Sequence, residues 1–181
     1  MSRSYYVLTA VGPNRPGLVD AISEYVFLRG GNVESSRAAT LGGEFAVLML
    51  ISCPSEAGEA IAGQLDQLKQ RADLICTARR TSPSTGKTSP AGALPFQLSV
   101  HSMDHPGIVQ AVAHELAEMG VDIESLDTQV ESAPHTGTAF FHFHARLNVP
   151  ASLNLPAFRR KLEALADRLN VDIQLSAETQ P

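Results

Sequence analysis

Residues 14–19 read NRPGLV, and residues 104–109 read DHPGIV. The offset of 90 residues between these two segments also carries Gly30 onto Gly120, and NVES at 32–35 onto DIES at 122–125. An offset kept without gaps across such a stretch indicates an internal repeat. The sequence therefore predicts two copies of one folding unit in tandem.

Each copy is predicted to fold in the order strand, helix, strand, strand, helix, strand. Asn14 is expected to cap the first helix, with Pro16 in its first turn and Gly30-Gly31 at its end. Pro54 is expected to open one continuous second helix through Leu68. In the first copy, β-branched and aromatic runs predict strands at 5–11, 33–41, 44–52 and 74–79. In the second copy, the predicted strands are 96–101, 122–130, 138–147 and 171–175, and the predicted helices are 107–119 and 155–169.

This order predicts an α+β fold of two tandem ferredoxin-like βαββαβ domains, each an antiparallel four-stranded sheet with its helices on one face. Residues 82–93 are rich in Ser, Thr, Gly and Pro, which is typical of a linker, so the predicted domains are 1–81 and 94–181. Residues 45–51, FAVLMLI, are apolar on both faces of their strand, although helices cover one face only. We expect the other face to meet the second copy, another subunit or both, and predict a homo-oligomer.

The bulk composition limits the class of protein. The chain has 181 residues, of which 44% are hydrophobic and 18% charged, as in a typical globular protein. The net charge of −5 disfavours direct nucleic-acid binding, which needs a basic face. Cys53 and Cys76 lack metal or disulfide spacing and are expected to be reduced, buried thiols. With no signal peptide pattern and no apolar run of the ~20 residues that cross a bilayer, a cytoplasmic location is expected.

The two repeated turns are the candidate ligand sites. A helix N-terminus presents unpaired N–H groups and a positive dipole, which suit a carboxylate. Gly17 and Gly107 lack a Cβ, so a ligand can approach the backbone closely. Asn14 can donate and accept hydrogen bonds, as the charged ends of an amino acid require, and Asn32 is expected near the same end of the sheet. The alternative is that Asn14 and Asp104 are ordinary caps and the glycines ordinary turn residues.

The repeated segment, Asn/Asp-x-Pro-Gly-Leu/Ile-Val at a helix start and Gly-x-Asn/Asp-Val/Ile at the next strand, resembles the ACT domain. Two such domains without a catalytic domain are similar to the glycine cleavage system transcriptional repressor family. ACT domains usually bind amino acids at the loop after the first strand, against the second strand of a neighbouring domain. The resemblance implies ligand contacts from Asn14, Arg15, Pro16, Gly17, Leu18, Gly31 and Asn32 in the first copy, and from Asp104, His105, Pro106, Gly107, Ile108 and Asp122 in the second.

The two copies differ at this implied site, because Asn14 and Asn32 correspond to Asp104 and Asp122. Two carboxylates can hold an ammonium group but repel the carboxylate of a ligand. We therefore expect the first copy to be the better amino-acid site. The resemblance further implies that glycine is the ligand, and that repression works through a DNA-binding transcription activator rather than through contact with DNA.

Other functions leave weaker patterns in the sequence. No phosphate-binding loop, nucleophile elbow or dinucleotide fingerprint occurs, so neither an enzyme nor a cofactor is predicted. An RNA-binding domain pair, in which aromatics of 140–143 would stack on bases, stays open, as does a protein-interaction module without a ligand. His142 and His144 point to one face of a strand and could share a metal ion. No carboxylate or cysteine near them in sequence completes a metal site, so we expect them on the outer face of the sheet or at an interface.

Overall fold

The tandem repeat is visible in the order of elements in the computed structural model, which describes residues 2–82, 92–132 and 137–178. The chain divides into two units, Met1–Thr85 and Gly86–Pro181. The first contains β1 (Arg3–Pro13), α1 (Leu18–Phe27), β2 (Asn32–Leu41), β3 (Glu44–Pro54), α2 (Ser55–Gly63), α3 (Asp66–Ala72) and β4 (Ile75–Thr81). The second contains β5 (Leu94–Met103), α4 (Ile108–Glu118), β6 (Asp122–Ser132), β7 (Ala139–Val149), α5 (Leu155–Leu169) and β8 (Asp172–Ala177).

Each unit forms one four-stranded antiparallel sheet. The strand order is β2-β3-β1-β4 in the first unit and β6-β7-β5-β8 in the second. This confirms the predicted α+β fold of two tandem ferredoxin-like domains. In both sheets the register of the second strand shifts at an equivalent glutamate, Glu34 in β2 and Glu124 in β6. A bulge kept at the same place in both copies is a further trace of the duplication.

One face of each sheet packs against its helices. Along β3, the side chains that face the helices are all buried, namely Phe45, Val47, Met49 and Ile51. Leu48 lies between them on the opposite face and is 51% exposed. The second core is built in the same way around Phe143 and Phe158, which are fully buried. β3 is therefore apolar on both faces, as predicted, and its outer face is exposed to solvent at Leu48.

The predicted single second helix of the first copy is wrong. Two helices, α2 and α3, replace it, because the backbone of Gln64 leaves the helical region with φ −115° and ψ 22°. The break follows Gly63, and glycine is among the weakest helix formers. The equivalent helix of the second copy, α5, is continuous. Its N-cap is Asn154, whose Oδ1 accepts a hydrogen bond of 2.9 Å from the Ala157 N–H.

The predicted linker at 82–93 falls largely on residues 83–91, which lie outside the described residues, so the domain limits 1–81 and 94–181 stay predictions. No helix within 2–82, 92–132 and 137–178 has the length and hydropathy needed to span a membrane. Cys53 is buried and Cys76 half-buried, both as free thiols. Burial raises the pKa of each thiol above its ordinary value.

Candidate functional site

Both repeated turns end in a glycine that starts a helix. Gly17 precedes α1 with φ 89°, and Gly107 precedes α4 with φ 98°, so both adopt a left-handed conformation that favours glycine. Neither helix receives a hydrogen bond from a capping side chain. The prediction that Asn14 caps the first helix is therefore wrong, because the helix begins only at Leu18. The first N–H groups of α1 and α4 are left without a side-chain acceptor.

The space around these glycines is open. A Cβ added to Gly17 or to Gly107 would meet nothing within 4 Å. The exposed residues Asn14, Arg15 and Pro16 precede Gly17 in the first turn. The second turn has the same form, with Asp104, Pro106 and Gly107 exposed and His105 half-buried. Each turn thus presents backbone N–H groups, a polar side chain at its first position and room for a small ligand.

Two hydrogen bonds fix each turn to the rest of its unit. The Asn14 N–H donates to the Gly43 carbonyl at 2.9 Å, and the Asp104 N–H donates to the Ala139 carbonyl at 2.9 Å. Nη2 of Arg15 donates to the Arg71 carbonyl at 3.3 Å, in the last turn of α3. At the equivalent position, His105 contacts the last carbonyl of α5. Each repeated turn is therefore held between a helix C-terminus and the point where β3 or β7 begins.

Leu18 and Ile108 do not belong to the exposed part of the turns. Leu18 is 3% exposed and Ile108 is 2% exposed, and each packs into the core of its own unit. They are the first residues of α1 and α4, and their side chains point at the sheet. Their contribution is to hold the helix N-terminus in position, so the direct ligand contact implied for them is not supported by the geometry.

Asn32 and Asp122 lie at the opposite end of their sheets from the turns. In the first sheet, Asn32 pairs with Ser52, and Ser52 pairs with Tyr5 near the start of β1. Asn14 follows the last residue of β1, so roughly 30 Å of strand separates the two asparagines. The expectation that they share one end of the sheet is wrong, because β1 and β2 both run antiparallel to β3 and are therefore parallel to each other.

The second sheet has the same arrangement. Asp122 pairs with Asn148, and Asn148 pairs with Pro95 near the start of β5, whereas Asp104 follows the end of β5. Within one domain, Asn32 and Asp122 therefore cannot contact a ligand bound at the turn. They can join such a site only when the turn belongs to a different copy of the domain.

Gly31 has a packing role within its own unit. A Cβ at Gly31 would lie 2.7 Å from Val26 Cγ1 and 3.3 Å from Ile61 Cδ1. Its N–H donates to the Val26 carbonyl at 3.0 Å, which closes the C-terminus of α1. Glycine is therefore needed here, because the chain between α1 and β2 passes too close to Val26 and Ile61 to leave room for a side chain.

Each second strand carries, at or near its start, a carboxylate that accepts hydrogen bonds from neighbouring donors. In the first unit, Ser52 and the amide of Asn32 donate to Glu34, the latter at 3.2 Å. These hydrogen bonds, chiefly the one from Ser52, hold the pKa of the Glu34 carboxyl below its ordinary value. In the second unit, the Asn148 amide donates to Asp122 Oδ2 at 3.0 Å. Asp122 is thus engaged within its own domain.

The charges at the two turns differ. Arg15 brings a guanidinium to the first turn, whereas the second turn carries the Asp104 carboxylate. Within one domain, Asp122 lies at the far end of the sheet, so Asp104 alone supplies a carboxylate at the second turn. The first turn therefore lacks the negative side chain that the second turn carries.

The outer face of the second sheet holds a histidine cluster that sequence reasoning found only in part. Phe141 is 7% exposed and Phe143 fully buried, so the two do not form an aromatic platform for RNA, and only Phe140 is open to solvent. His142 pairs across the strands with His101. The sequence singled out His142 and His144 from their spacing. His101 is added by the β5–β7 register, which sequence spacing alone does not show.

Comparisons with known proteins agree with this fold. The ACT domain family profile matches residues 4–78. The glycine cleavage system transcriptional repressor of Escherichia coli (strain K12) is 29% identical over 169 residues, which are 93% of this chain and 87% of that protein. The Shigella flexneri repressor gives the same values.

Two crystal structures match the whole chain. One is an unknown protein from Galdieria sulphuraria, with a TM-score of 0.84, 29% identity, and coverage of 98% of this chain and 100% of that one. The other is assigned provisionally to the glycine cleavage system transcriptional repressors, with a TM-score of 0.74, 29% identity, and coverage of 99% and 100%. The chain therefore carries a segment that is similar to the ACT domain at residues 4–78, and it resembles the glycine cleavage system transcriptional repressors along nearly its whole length.

Proposed function

We propose that the protein senses an amino acid and regulates transcription as a glycine cleavage system repressor that acts through a protein partner. The observation that carries this proposal is the 29% identity with the Escherichia coli repressor over 93% of the chain. The ACT domain at 4–78 supports a regulatory role in place of an enzymatic one. The net charge of −5 favours a protein partner, a DNA-binding activator, over direct contact with DNA.

The first turn is the proposed amino-acid site. The uncapped N-terminus of α1 offers N–H groups and the positive end of the helix dipole to a ligand carboxylate. The side-chain oxygen of Asn14 can accept a hydrogen bond from the ligand ammonium group. Gly17 allows close approach and leaves the space free, which suits glycine as the smallest amino acid. The second turn offers the same backbone, but Asp104 opposes the ligand carboxylate.

Regulation requires that the ligand bind one state of the protein more tightly than another. The turn alone is rigidly bonded to its own unit, so a ligand confined to it would give little differential affinity. A second strand from another domain, bringing Asn32 or Asp122, would make the site depend on assembly. We therefore propose that glycine binding weakens the repressive complex by acting on an interface between domains in a homo-oligomer.

Calorimetric titration with glycine tests the proposal with a matched pair of variants. Asn14→Asp gives the first turn the residue of the second, and Asp104→Asn gives the second turn the residue of the first. We expect Asn14→Asp to weaken glycine binding about tenfold or more, which corresponds to about 1.4 kcal/mol. Asp104→Asn is expected to leave the first site unchanged and to strengthen or add a second one. Loss of glycine binding only in a variant of Asp104 would contradict the assignment to the first turn.

A thermal-shift panel of the twenty amino acids tests the ligand class. A specific ligand raises the melting temperature, because binding at a hundred times Kd stabilises the folded state by about 2.7 kcal/mol. Glycine is expected to give the largest rise. A response to no amino acid would favour the alternative of a protein-interaction module without a ligand.

A further inference from the structure

The histidine cluster on the outer face of the second sheet brings together side chains of a type that ligates metal ions. His101 on β5 and His142 on β7 are direct partners across the two central strands, and His144 lies on the same face two residues along β7. The ring centroid of His101 is 5.1 Å from that of His142 and 5.4 Å from that of His144. Because both strands are internal to the sheet, the backbone positions of these rings are fixed.

The shortest distance between two ring nitrogens of the cluster is one that allows both to bind the same metal ion. Nδ1 of His101 lies 2.9 Å from Nδ1 of His142. Two nitrogens at this separation, each about 2.0–2.1 Å from a zinc ion, subtend an angle of about 90° at the metal. A separation wider by about 0.4 Å gives the tetrahedral angle, which small rotations of the two rings can supply.

The surrounding groups suit a cation. Oε2 of Glu131 lies 4.0 Å from Nε2 of His142, on the side of the ring away from His101. This carboxylate places a negative charge close to the ring, which favours a bound cation. Ser99 Oγ lies 3.1 Å from Nδ1 of His144, which leaves the Nε2 atom of that ring for other partners. In the strand register, Asp172 lies next to His101 and Asp127 next to His144, so the histidines are flanked by acidic positions on both sides.

We propose that His101 and His142 bind a divalent first-row transition-metal ion of the Zn²⁺ type through their Nδ1 atoms. Imidazole ligands favour zinc, copper and nickel over magnesium and calcium. Within the described parts of the chain, no three His, Cys, Asp or Glu side chains are already grouped to hold a metal ion. His101 and His142 therefore supply the first two ligands of the ion. His144, after a rotation of its side chain, and water molecules supply the remaining ligands.

Titration of tag-free full-length protein, stripped with a chelator and then given Zn²⁺, tests this site. We expect one Zn²⁺ per chain, and a tenfold or greater loss of affinity in His101→Ala and in His142→Ala, about the loss that changes around a metal site produce. His114→Ala is the matched control, because His114 is an exposed histidine on α4 of the same unit. It is expected to leave the affinity unchanged. Mg²⁺ at the same concentration is expected not to bind.

Folding of the variants is checked by the melting temperature without metal, which removal of a surface imidazole should change by only a few degrees. Zn²⁺ is expected to raise the melting temperature of the parent protein and of His114→Ala, but not that of His142→Ala. His142→Gln, which keeps a polar side chain of similar length, replaces the alanine variant if the latter does not fold. Absence of Zn²⁺ binding, binding unaffected by His101→Ala and His142→Ala, or an equal loss in His114→Ala would overturn the proposal.

Discussion

Nε2 of His105 lies 3.2 Å from the carbonyl oxygen of Leu169, so the second Pro-Gly turn is bonded to the C-terminus of α5. The last carbonyls of a helix lack intrahelical partners and carry partial negative charge, so they favour a donor from a basic side chain. Arg15 makes the equivalent contact with the Arg71 carbonyl in the first unit. The second residue of each repeated turn is therefore a positioning residue, although the two copies use different side chains for it.

Removal of this tie is expected to destabilise the second unit modestly. His105→Ala should lower the free energy of unfolding by about 0.5–1.5 kcal/mol, the usual net value of one hydrogen bond. Urea denaturation measures the change, and His114→Ala serves as the surface control. An effect of His105→Ala no larger than that of His114→Ala would show that the bond does not hold the turn.

Two glycines of α2 are expected to respond in opposite directions to alanine. A Cβ at Gly58 would lie 2.6 Å from Tyr6 Cε2 and 2.9 Å from Tyr6 Cζ, and the Tyr6 ring is only 6% exposed. Gly58→Ala should therefore destabilise the protein by about 1–3 kcal/mol through overpacking. A Cβ at Gly63 would meet nothing within 4 Å. Gly63→Ala should stabilise by up to about 1 kcal/mol through helix propensity. Thermal melts of both variants check the difference, and equal effects would contradict it.

Two phenylalanines of β7 provide a similar contrast. Phe143 is fully buried and Phe140 is 42% exposed. Phe143→Ala is expected to cost about 3–5 kcal/mol by leaving a cavity in the second core. Phe140→Ala should cost about 0.5 kcal/mol or less. Chemical denaturation measures both values. A small cost for Phe143→Ala would mean that its ring is accessible, and would restore the aromatic platform that RNA binding needs.

The carboxylate of Glu34 should make the stability of the first unit depend on acid pH. Its pKa is lowered in the folded state by hydrogen bonds from Ser52 and Asn32. The carboxylate therefore stabilises the fold at pH values above its ordinary pKa of 4.5, and this contribution is lost as the pH falls through the lowered folded value.

Glu34→Gln tests this dependence by removing the titrating group. The variant should show a flatter fall in melting temperature below pH 4.5 than the parent protein. Glu118→Gln, an exposed position on α4, is the control and should leave the parent slope unchanged. Parallel curves for Glu34→Gln and the parent would show that the hydrogen bonds of Glu34 do not contribute.

The repeat made most of the fold predictable. Because the two copies are related by the offset between Pro16 and Pro106, the sequence contains two patterns for each strand and helix. All eight predicted strands are present, with ends shifted by a few residues. Local signals failed where several weak preferences compete. The break after Gly63 is not predictable, because the apolar spacing continues through it. The start of α1 at Leu18, and not directly after Asn14, depends on the left-handed turn at Gly17, whose only signal in the sequence is the glycine itself.

The candidate site was predictable at the turns but not beyond them. Asn14 and Gly17 are neighbours in sequence, so their proximity needed no knowledge of the sheet. The position of Asn32 depends on strand order, which the alternation of residues does not specify. The same holds for His101, which reaches His142 only through the β5–β7 pairing. Contacts between strands distant in sequence are set by topology, and the pattern of one strand carries no record of its partner.

The carboxylate that is hydrogen-bonded near the start of each second strand lies at a different position in the two copies. In the first unit the carboxylate is Glu34 and the neighbouring strand supplies the hydroxyl of Ser52, whereas in the second the carboxylate is Asp122 and the neighbouring strand supplies the amide of Asn148. A hybrid in which β6 alone replaced β2 would set a carboxylate opposite Ser52 without the amide that it now uses. Exchange of a whole hairpin keeps each carboxylate with the donor that it now uses, which makes the hairpin the natural unit for recombining the two copies, in evolution or in the design of chimeric proteins.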